Sequence, residues 1–444
     1  MSTHDDSTGP KVAIATLGCK VNQYESAAFS SAFREKGADL VPFSGPADIY
    51  VVNTCAVTAK AAAESRRLVR RALRRNPDAR VVVTGCYAQV ASREIRGLGE
   101  RPPCIVGNGC KDQLVDIALA DGSCDLELFM GDIGRQRRIC RLPVAEFPGR
   151  TRAFLKIQDG CDRYCSYCIV PYARGPSRSL SPAEVVSQAE RFVAAGYQEI
   201  VLTGIHIGLY GLDCDPPTDL VALLHRLLAV GDGARYRISS LESAEITDEL
   251  LDLVVASPRL VPHFHIPLQS GDDTILARMN RPYTTADYAR VVEHIVARLP
   301  DAAIGADVMV GFPGEDEAHF DNTRAFLAEL PLAYLHVFPY SRRPGTVAAE
   351  MDGQVASAVK EERVAILRQL DAEKRRAFQR RFIGTCRPVL VERRRQGVAR
   401  GFTDNYIPVR FSAPAGVDNR LVTVRLTGLA ESGMEGEMEA CAER

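Results

Sequence analysis

The apolar positions along this chain fall into three successive regimes. In the first, short continuous apolar runs alternate with helical patterns. Residues 11–19 read as a buried strand closing on Gly18-Cys19, and 26–36 as a helix stopped by Gly37. Residues 48–55 form the next strand, 59–75 a helix stopped by Asn76-Pro77, and 80–86 a third strand. Residues 105–107 suit a short fourth strand. Strands alternating with helices predict a parallel sheet in an α/β domain.

The second regime repeats the same unit on a larger scale. Strands are expected at 153–157, 199–202, 236–239, 263–266, 303–310 and 334–338, with helices at 182–195, 220–230, 248–256, 285–298 and 317–330 between them. Six such units suit a partial (β/α)6 barrel, which works from the C-terminal ends of its strands. Those ends carry polar or glycine-rich sequence, such as Thr203-Gly204, Gln269-Ser270-Gly271 and Gly311-Phe312-Pro313-Gly314. Residues 123–150 have weak patterning and read as the connection into this domain.

The third regime opens with a long charged helix over 357–382, ended by Gly384. Short alternating strands at 388–392, 397–402, 406–411 and 421–426 then predict a small β-barrel of the kind that binds nucleic acid. The expected domains are 10–122, 147–377 and 379–442.

Composition narrows the classes. The formal net charge of −1 gives no global attraction to nucleic acid, so any such site is a local patch. Thirteen cysteines, unevenly spaced, do not suit a secreted disulfide framework. No long apolar run suggests a membrane span. The N-terminal residues 1–10 are polar, read as disordered, and lack a signal-peptide pattern. A reduced, cytoplasmic protein is expected.

Cys161, Cys165 and Cys168 stand in a CxxxCxxC arrangement. A zinc site usually closes with four ligands, and no fourth Cys or His lies near, the next being His206 and Cys214. Three thiolates suit a cubane iron–sulfur cluster with one iron open to a ligand. A zinc knuckle or incidental thiols are the alternatives. In the first domain, Cys19, Cys55 and Cys86 each follow the end of a predicted strand, the edge where open α/β sheets bind ligands. They can converge on a second three-thiolate site. Buried structural cysteines are the bland alternative, and Cys110 is a rival third ligand.

Arginines form two local patches. Arg66, Arg67, Arg70, Arg71, Arg74 and Arg75 make one face of the second helix. Arg380, Arg381, Arg387, Arg393, Arg394, Arg395, Arg400 and Arg410 crowd the start of the terminal barrel, where Phe402 and Tyr406 are candidates to stack on bases. Arg67, Arg71, Arg75, Arg393, Arg394 and Arg395 are the candidate RNA contacts. Arg174 and Arg178 suit either anion binding or a surface loop. His263 and His265 alternate on a strand and read as buried, hydrogen-bonded histidines.

Taken together, residues 10–442 resemble the methylthiotransferase family of radical S-adenosylmethionine (radical SAM) enzymes. The resemblance rests on Leu17-Gly18-Cys19-Lys20-Val21-Asn22-Gln23, Asn53-Thr54-Cys55, Thr84-Gly85-Cys86-Tyr87-Ala88-Gln89, the central triplet with Tyr167 and Val170-Pro171-Tyr172, and residues 338–346. The terminal barrel resembles the family's RNA-binding TRAM domain. The resemblance implies a [4Fe-4S] cluster on Cys161, Cys165 and Cys168 whose open iron holds SAM, and an auxiliary [4Fe-4S] cluster on Cys19, Cys55 and Cys86. Gly204, Glu242, Gln269, Asp307 and Gly311 are the candidate SAM contacts. One SAM would donate a methyl group to sulfur, and another would be reductively cleaved to activate C2 of an adenine in tRNA. A flavodoxin- or ferredoxin-type electron donor and a monomeric state are implied.

Lys20-Val21-Asn22 after Cys19 resembles the branch acting on N6-threonylcarbamoyladenosine beside the anticodon. Sibling branches act on isopentenyladenosine or on a ribosomal protein aspartate. A methylase whose first domain is only structural, and a non-catalytic iron–sulfur RNA-binding protein, are the readings from other classes.

Overall fold

The computed structural model describes residues 9–120, 128–147, 149–231 and 233–439. Residues 1–8, the subject of the disorder expectation, and part of the 123–150 connection lie outside them.

The first domain is a parallel sheet in the order β2-β1-β3-β4-β5-β6. Its elements are β1 (Lys11–Thr16), α1 (Lys20–Glu35), β2 (Asp39–Leu40), β3 (Ile49–Thr54), α2 (Ala59–Arg75), β4 (Arg80–Gly85), α3 (Cys86–Val90), α4 (Ser92–Arg96), β5 (Cys104–Val106), α5 (Leu114–Leu119) and β6 (Leu128–Phe129). The central strands are buried throughout because helices cover both faces, which is why they read as continuous apolar runs. The first helix starts at Lys20, not at 26. Cys19 holds the N-cap position without a side-chain cap bond, so the usual start signal is absent.

The central domain contains β7 (Arg152–Lys156), β8 (Gln158–Asp159), α6 (Val170–Arg174), β9 (Arg178–Ser179), α7 (Pro182–Ala194), β10 (Glu199–Thr203), α8 (Leu220–Leu228), β11 (Arg235–Ile238), α9 (Asp248–Ala256), β12 (His263–His265), α10 (Asp273–Arg278), α11 (Thr285–Arg298), β13 (Ala303–Val310), α12 (Glu317–Glu329) and β14 (Tyr334–Pro339). Strands β7, β10 and β11 pair in parallel, as do β12, β13 and β14. Isolated parallel bridges Tyr236–Leu260 and Ser240–His265 join the two halves into one open barrel. Helices start at side-chain caps such as Ser181, Thr247 and Thr284, each accepting a backbone N–H of the first turn. The expected six-strand partial barrel is therefore present, with the short helices α6 and α10 added.

The chain ends in α13 (Ser357–Arg380) and a closed barrel of β15 (Cys386–Arg395), β16 (Val398–Thr403), β17 (Pro408–Ser412), β18 (Leu421–Ala430) and β19 (Gly433–Met438). The last strand, Gly-Met-Glu-Gly-Glu-Met, was not expected: its two glycines weaken the strand pattern. Tyr406 precedes β17 instead of opening it, with φ +67°. This barrel packs on the N-terminal ends of the central strands. Ala303, Ala333 and Tyr334 belong to its apolar core, and buried Arg235 donates to the carbonyls of Pro388 and Phe402 at 3.2 and 3.3 Å.

Candidate functional site

Cys19, Cys55 and Cys86 lie at the C-terminal ends of β1, β3 and β4, which are adjacent in the sheet. The turn before Cys19 is made by Gly18 at φ +94°; a Cβ there would sit 2.8 Å from Cys55 Sγ. The glycine thus brings the first and second cysteine segments together. Cys86 Sγ accepts from Arg174 Nε at 3.3 Å. Burial pushes the Cys55 thiol up to about 11 and raises that of Cys86, with their neighbouring thiols adding to it. Metal binding must displace those protons. Cys110, the rival ligand, sits on a 3-10 turn after β5, one strand further along the sheet.

Cys161, Cys165 and Cys168 occupy the loop between β8 and α6. The loop is pinned across the barrel mouth to the end of α10. Ser166 N–H donates to Met279 O at 3.0 Å, its hydroxyl to Arg278 O at 2.8 Å, and Asn280 Nδ2 to Tyr164 O at 3.1 Å. Donors surround the three sulfurs. Arg163 N–H reaches Cys161 Sγ at 3.5 Å, Val170 N–H reaches Cys168 Sγ at 3.4 Å, and Arg281 Nη1 reaches Cys165 Sγ at 3.2 Å. His206 Nδ1 lies 3.5 Å from Cys161 Sγ, and its Nε2 meets Glu245. Such a donor set fits anionic sulfur ligands, and cluster sulfurs are commonly hydrogen-bonded in this way.

A single zinc needs sulfurs about 3.8 Å apart, given Zn–S bonds of about 2.3 Å and tetrahedral angles. Among the described residues, only His265, Asp307 and His336 bring three His/Cys/Asp/Glu ligand atoms within 4.8 Å of one another. Neither cysteine triplet is drawn to single-ion spacing. His265 Nε2 and His336 Nδ1 approach Asp307 Oδ1 at 3.0 and 3.3 Å. Burial opposes ionisation of Asp307, but the two histidines hold its carboxyl well below the usual range. Arg237 and Lys20 act electrostatically on the same region, a positive surrounding that disfavours a further dication. His263 donates or accepts at Tyr334 Oη (2.8 Å), so it is a hydrogen-bonded buried histidine as expected.

The candidate SAM residues divide. Gln269 is buried at φ +71° with Oε1 unpartnered, and it pairs in the backbone with Asp307 and Met309. Glu242 is tied to Arg281, which links it to Cys165. Sequence reading missed Arg281, whose role depends on a partner more than a hundred positions away. At Gly204 and Gly311 the surrounding protein leaves no room for a side chain. A Cβ at Gly204 would meet Ile207 and Gln158 at 2.7 and 2.9 Å, and one at Gly311 would meet Lys360 of α13 at 2.3 Å.

Other expectations are corrected. Arg174 is fully buried, not a surface-loop residue. Phe402 and Tyr406 are engaged within the protein: they stack on each other at 4.8 Å, Arg152 lies over both rings, and Arg237 lies over Tyr406, while half-buried Phe402 still lines the cavity beside the terminal barrel. Among the candidate RNA arginines, Arg67 pairs with Glu64, Arg75 donates to Phe43 O, and Arg394 donates to Ala413 O. Among the described residues Arg71, Arg393 and Arg395 have no such partner. Arg393 and Arg400 line a cavity of about 770 Å³ between β7 and the terminal barrel, together with Arg150, Arg152 and Arg410.

The barrel and its cysteine loop define a radical SAM enzyme: residues 155–327 match the Radical SAM superfamily, and residues 11–107 match the Uncharacterized protein family UPF0004. The chain belongs to the threonylcarbamoyladenosine tRNA methylthiotransferase family. It is 40% identical over 435 residues to threonylcarbamoyladenosine tRNA methylthiotransferase MtaB of Bacillus subtilis, covering 96% of each chain. It is 39% identical to the MtaB of Aquifex aeolicus, covering 90% of this chain and 96% of that one. Among solved structures, the radical SAM methyltransferase TsrM of Kitasatospora setae, with cobalamin and a [4Fe-4S] cluster bound, shares the fold. The TM-score is 0.57 at 16% identity, and 77% of each chain is covered. Radical SAM enzymes use SAM with a [4Fe-4S] cluster, and methylthiotransferases carry a second cluster on the UPF0004 domain. No helix among the described residues is long and apolar enough to cross a membrane.

Proposed function

We propose that this enzyme converts N6-threonylcarbamoyladenosine in tRNA to its 2-methylthio derivative. The observation that carries this is the joining of two three-cysteine sites across one domain boundary, in a chain collinear with MtaB relatives. Cys161, Cys165 and Cys168 would hold the SAM-cleaving cluster, and Cys19, Cys55 and Cys86 the auxiliary one. When bound, the clusters and SAM would relay electrons from an external donor and supply sulfur and the methyl group.

The protein's own residues provide placement. Arg281 orients the Cys165 side of the loop against Glu242. His206, bridged to Glu245, does the same for Cys161, and despite burial these contacts keep its imidazolium favoured up to about pH 9. Gln269 presents an unpaired oxygen to a ligand. Lys20 follows Cys19 and lies within electrostatic reach of Asp307 and Arg237. Burial of its amino group and the neighbouring Arg237 and Arg152 lower the affinity of the amine for a proton. A carboxylate such as that of the threonylcarbamoyl group offers Lys20 a further counter-charge beside Asp307.

The arginine-lined cavity at the foot of the terminal barrel takes tRNA phosphates, with Arg71 on α2 a second contact. An external flavodoxin- or ferredoxin-type protein supplies electrons, and one chain suffices because all six cysteines are its own. Mass spectrometry of digested tRNA tests the reading. Cells lacking the protein should lose 2-methylthio-N6-threonylcarbamoyladenosine and accumulate the unthiolated nucleoside, with isopentenyl derivatives unchanged. Loss of an isopentenyl product instead would move the enzyme to the sibling branch.

A further inference from the structure

Between the two cysteine sites lies a buried cluster of charge. Arg174, at the end of the helix that follows Cys168, is 0% exposed. All three guanidinium nitrogens are committed. Nη1 donates to Asp159 Oδ1 at 2.8 Å and to Glu25 Oε1 at 3.0 Å, and Nη2 donates to Asn22 Oδ1 at 2.6 Å. Nε donates to Cys86 Sγ at 3.3 Å. Asp159 stands two residues before Cys161, while Glu25 and Asn22 lie on the helix that starts beside Cys19. One side chain therefore touches or braces the frames of both sites.

The charges around it do not balance within the protein. Lys111 and Lys156 also bind Glu25, Lys156 binds Asp159, and Arg178 donates to Arg174 O. Three buried basic side chains, Arg174, Lys111 and Lys156, thus share two carboxylates. Burying a charge is costly unless it is paired. The donor not spent on a carboxylate or amide is the one aimed at Cys86. An anionic sulfur group at that position supplies the missing counter-charge.

We propose that Arg174 is a positioning residue that raises the reduction potential of the auxiliary cluster by donating to Cys86 and placing excess positive charge beside it. This rests on the assignment of Cys19, Cys55 and Cys86 as that cluster's ligands. Reduction adds one electron, and so one negative charge, to an already anionic thiolate-bound cluster. A hydrogen bond to its sulfur and a nearby cation stabilise the reduced form more than the oxidised one. The same guanidinium holds Asp159, so the loop carrying the other three cysteines keeps its place relative to Cys86.

The test uses the full-length chain, reconstituted anaerobically, with Cys161, Cys165 and Cys168 replaced by Ala so that the auxiliary cluster is observed alone. Its midpoint potential is read by electron paramagnetic resonance during titration with dithionite. Arg174→Lys keeps the charge but moves the donor; Arg174→Gln removes the charge. Both should retain about four irons and show a lower midpoint potential than the parent, the Gln variant lower than the Lys variant. The Lys variant decides where the Gln variant fails to load. An unchanged midpoint in Arg174→Lys, or loss of the cluster from both variants, would overturn the inference in favour of a purely structural arginine. A parent protein that binds no cluster refutes the cysteine assignment itself and takes the inference with it.

Discussion

The ring of Tyr406 in the terminal barrel lies 4.9 Å from that of His263 in the central barrel, at 47°. Tyr406 is a domain plug rather than a base-stacking platform. Tyr406→Ala is expected to destabilise the chain by about 3 kcal/mol, the range for losing a large packed aromatic. Urea unfolding followed by circular dichroism measures this. The salt dependence of tRNA binding should stay unchanged, since no phosphate contact is removed.

Glu199 sits at the same junction, fully buried, with Arg235 and Arg237 on its two oxygens at 2.7 and 2.8 Å. Burial opposes its ionisation, but those arginines and Arg152 depress its pKa to about 2. A depressed carboxylate contributes stability that is present above its unfolded pKa, near 4.3, and lost as pH falls through the folded value. Stability should therefore decline between about pH 4 and 2 through this group. Glu199→Gln should flatten that decline and cost about 3–5 kcal/mol at neutral pH, because two buried arginines lose their partner. Thermal unfolding across pH compares the two proteins.

The two cysteine triplets are separable by function. Cys165→Ala should abolish reductive cleavage of SAM to 5′-deoxyadenosine while leaving tRNA binding intact. Cys55→Ala should leave cleavage measurable, stop thiolation and lower iron by about four per chain. Cys110→Ala should do neither. Loss of the auxiliary iron from Cys110→Ala with retention in Cys86→Ala would reverse the choice of third ligand.

For RNA, Arg393→Glu and Arg400→Glu should weaken tRNA binding and reduce the slope of log affinity against log salt by about one per phosphate lost. Arg387→Glu should act differently. That arginine is held by Asp404 and Asp301, so its loss shows as destabilisation. Filter binding over a salt series, beside a melting curve, separates the two effects.

The order of elements was readable because strand runs and helix patterns are local, and α2, α9 and α11 fall on their expected residues. The convergence of Cys19, Cys55 and Cys86 on one edge was readable from topology alone, since parallel strands present equivalent ends. Pairings across domains were hidden. Arg174 looks like any loop arginine until Glu25, 149 positions away, is found beneath it. Phe402 and Tyr406 carried the aromatic signal of a binding face, but the partners that occupy them, Arg152 and Arg237, belong to another domain. The start of α1 was masked for a local reason. Asn22 uses its side chain to hold Leu17 O and Thr54 O, so it reads as a turn residue while sitting in a helix.

The contact of β15–β17 with the foot of the central barrel also bears on modularity. A shortened chain ending after α13 would lose more than an RNA handle. Arg235 would lose two carbonyl acceptors, the Glu199 cluster would meet water, and Tyr334 would lose its apolar surroundings. A terminal domain that seals its neighbour in this way cannot be exchanged for another RNA-binding module by matching its fold alone. The replacement must also reproduce Tyr406 and its contacts with Arg152, Arg237 and His263.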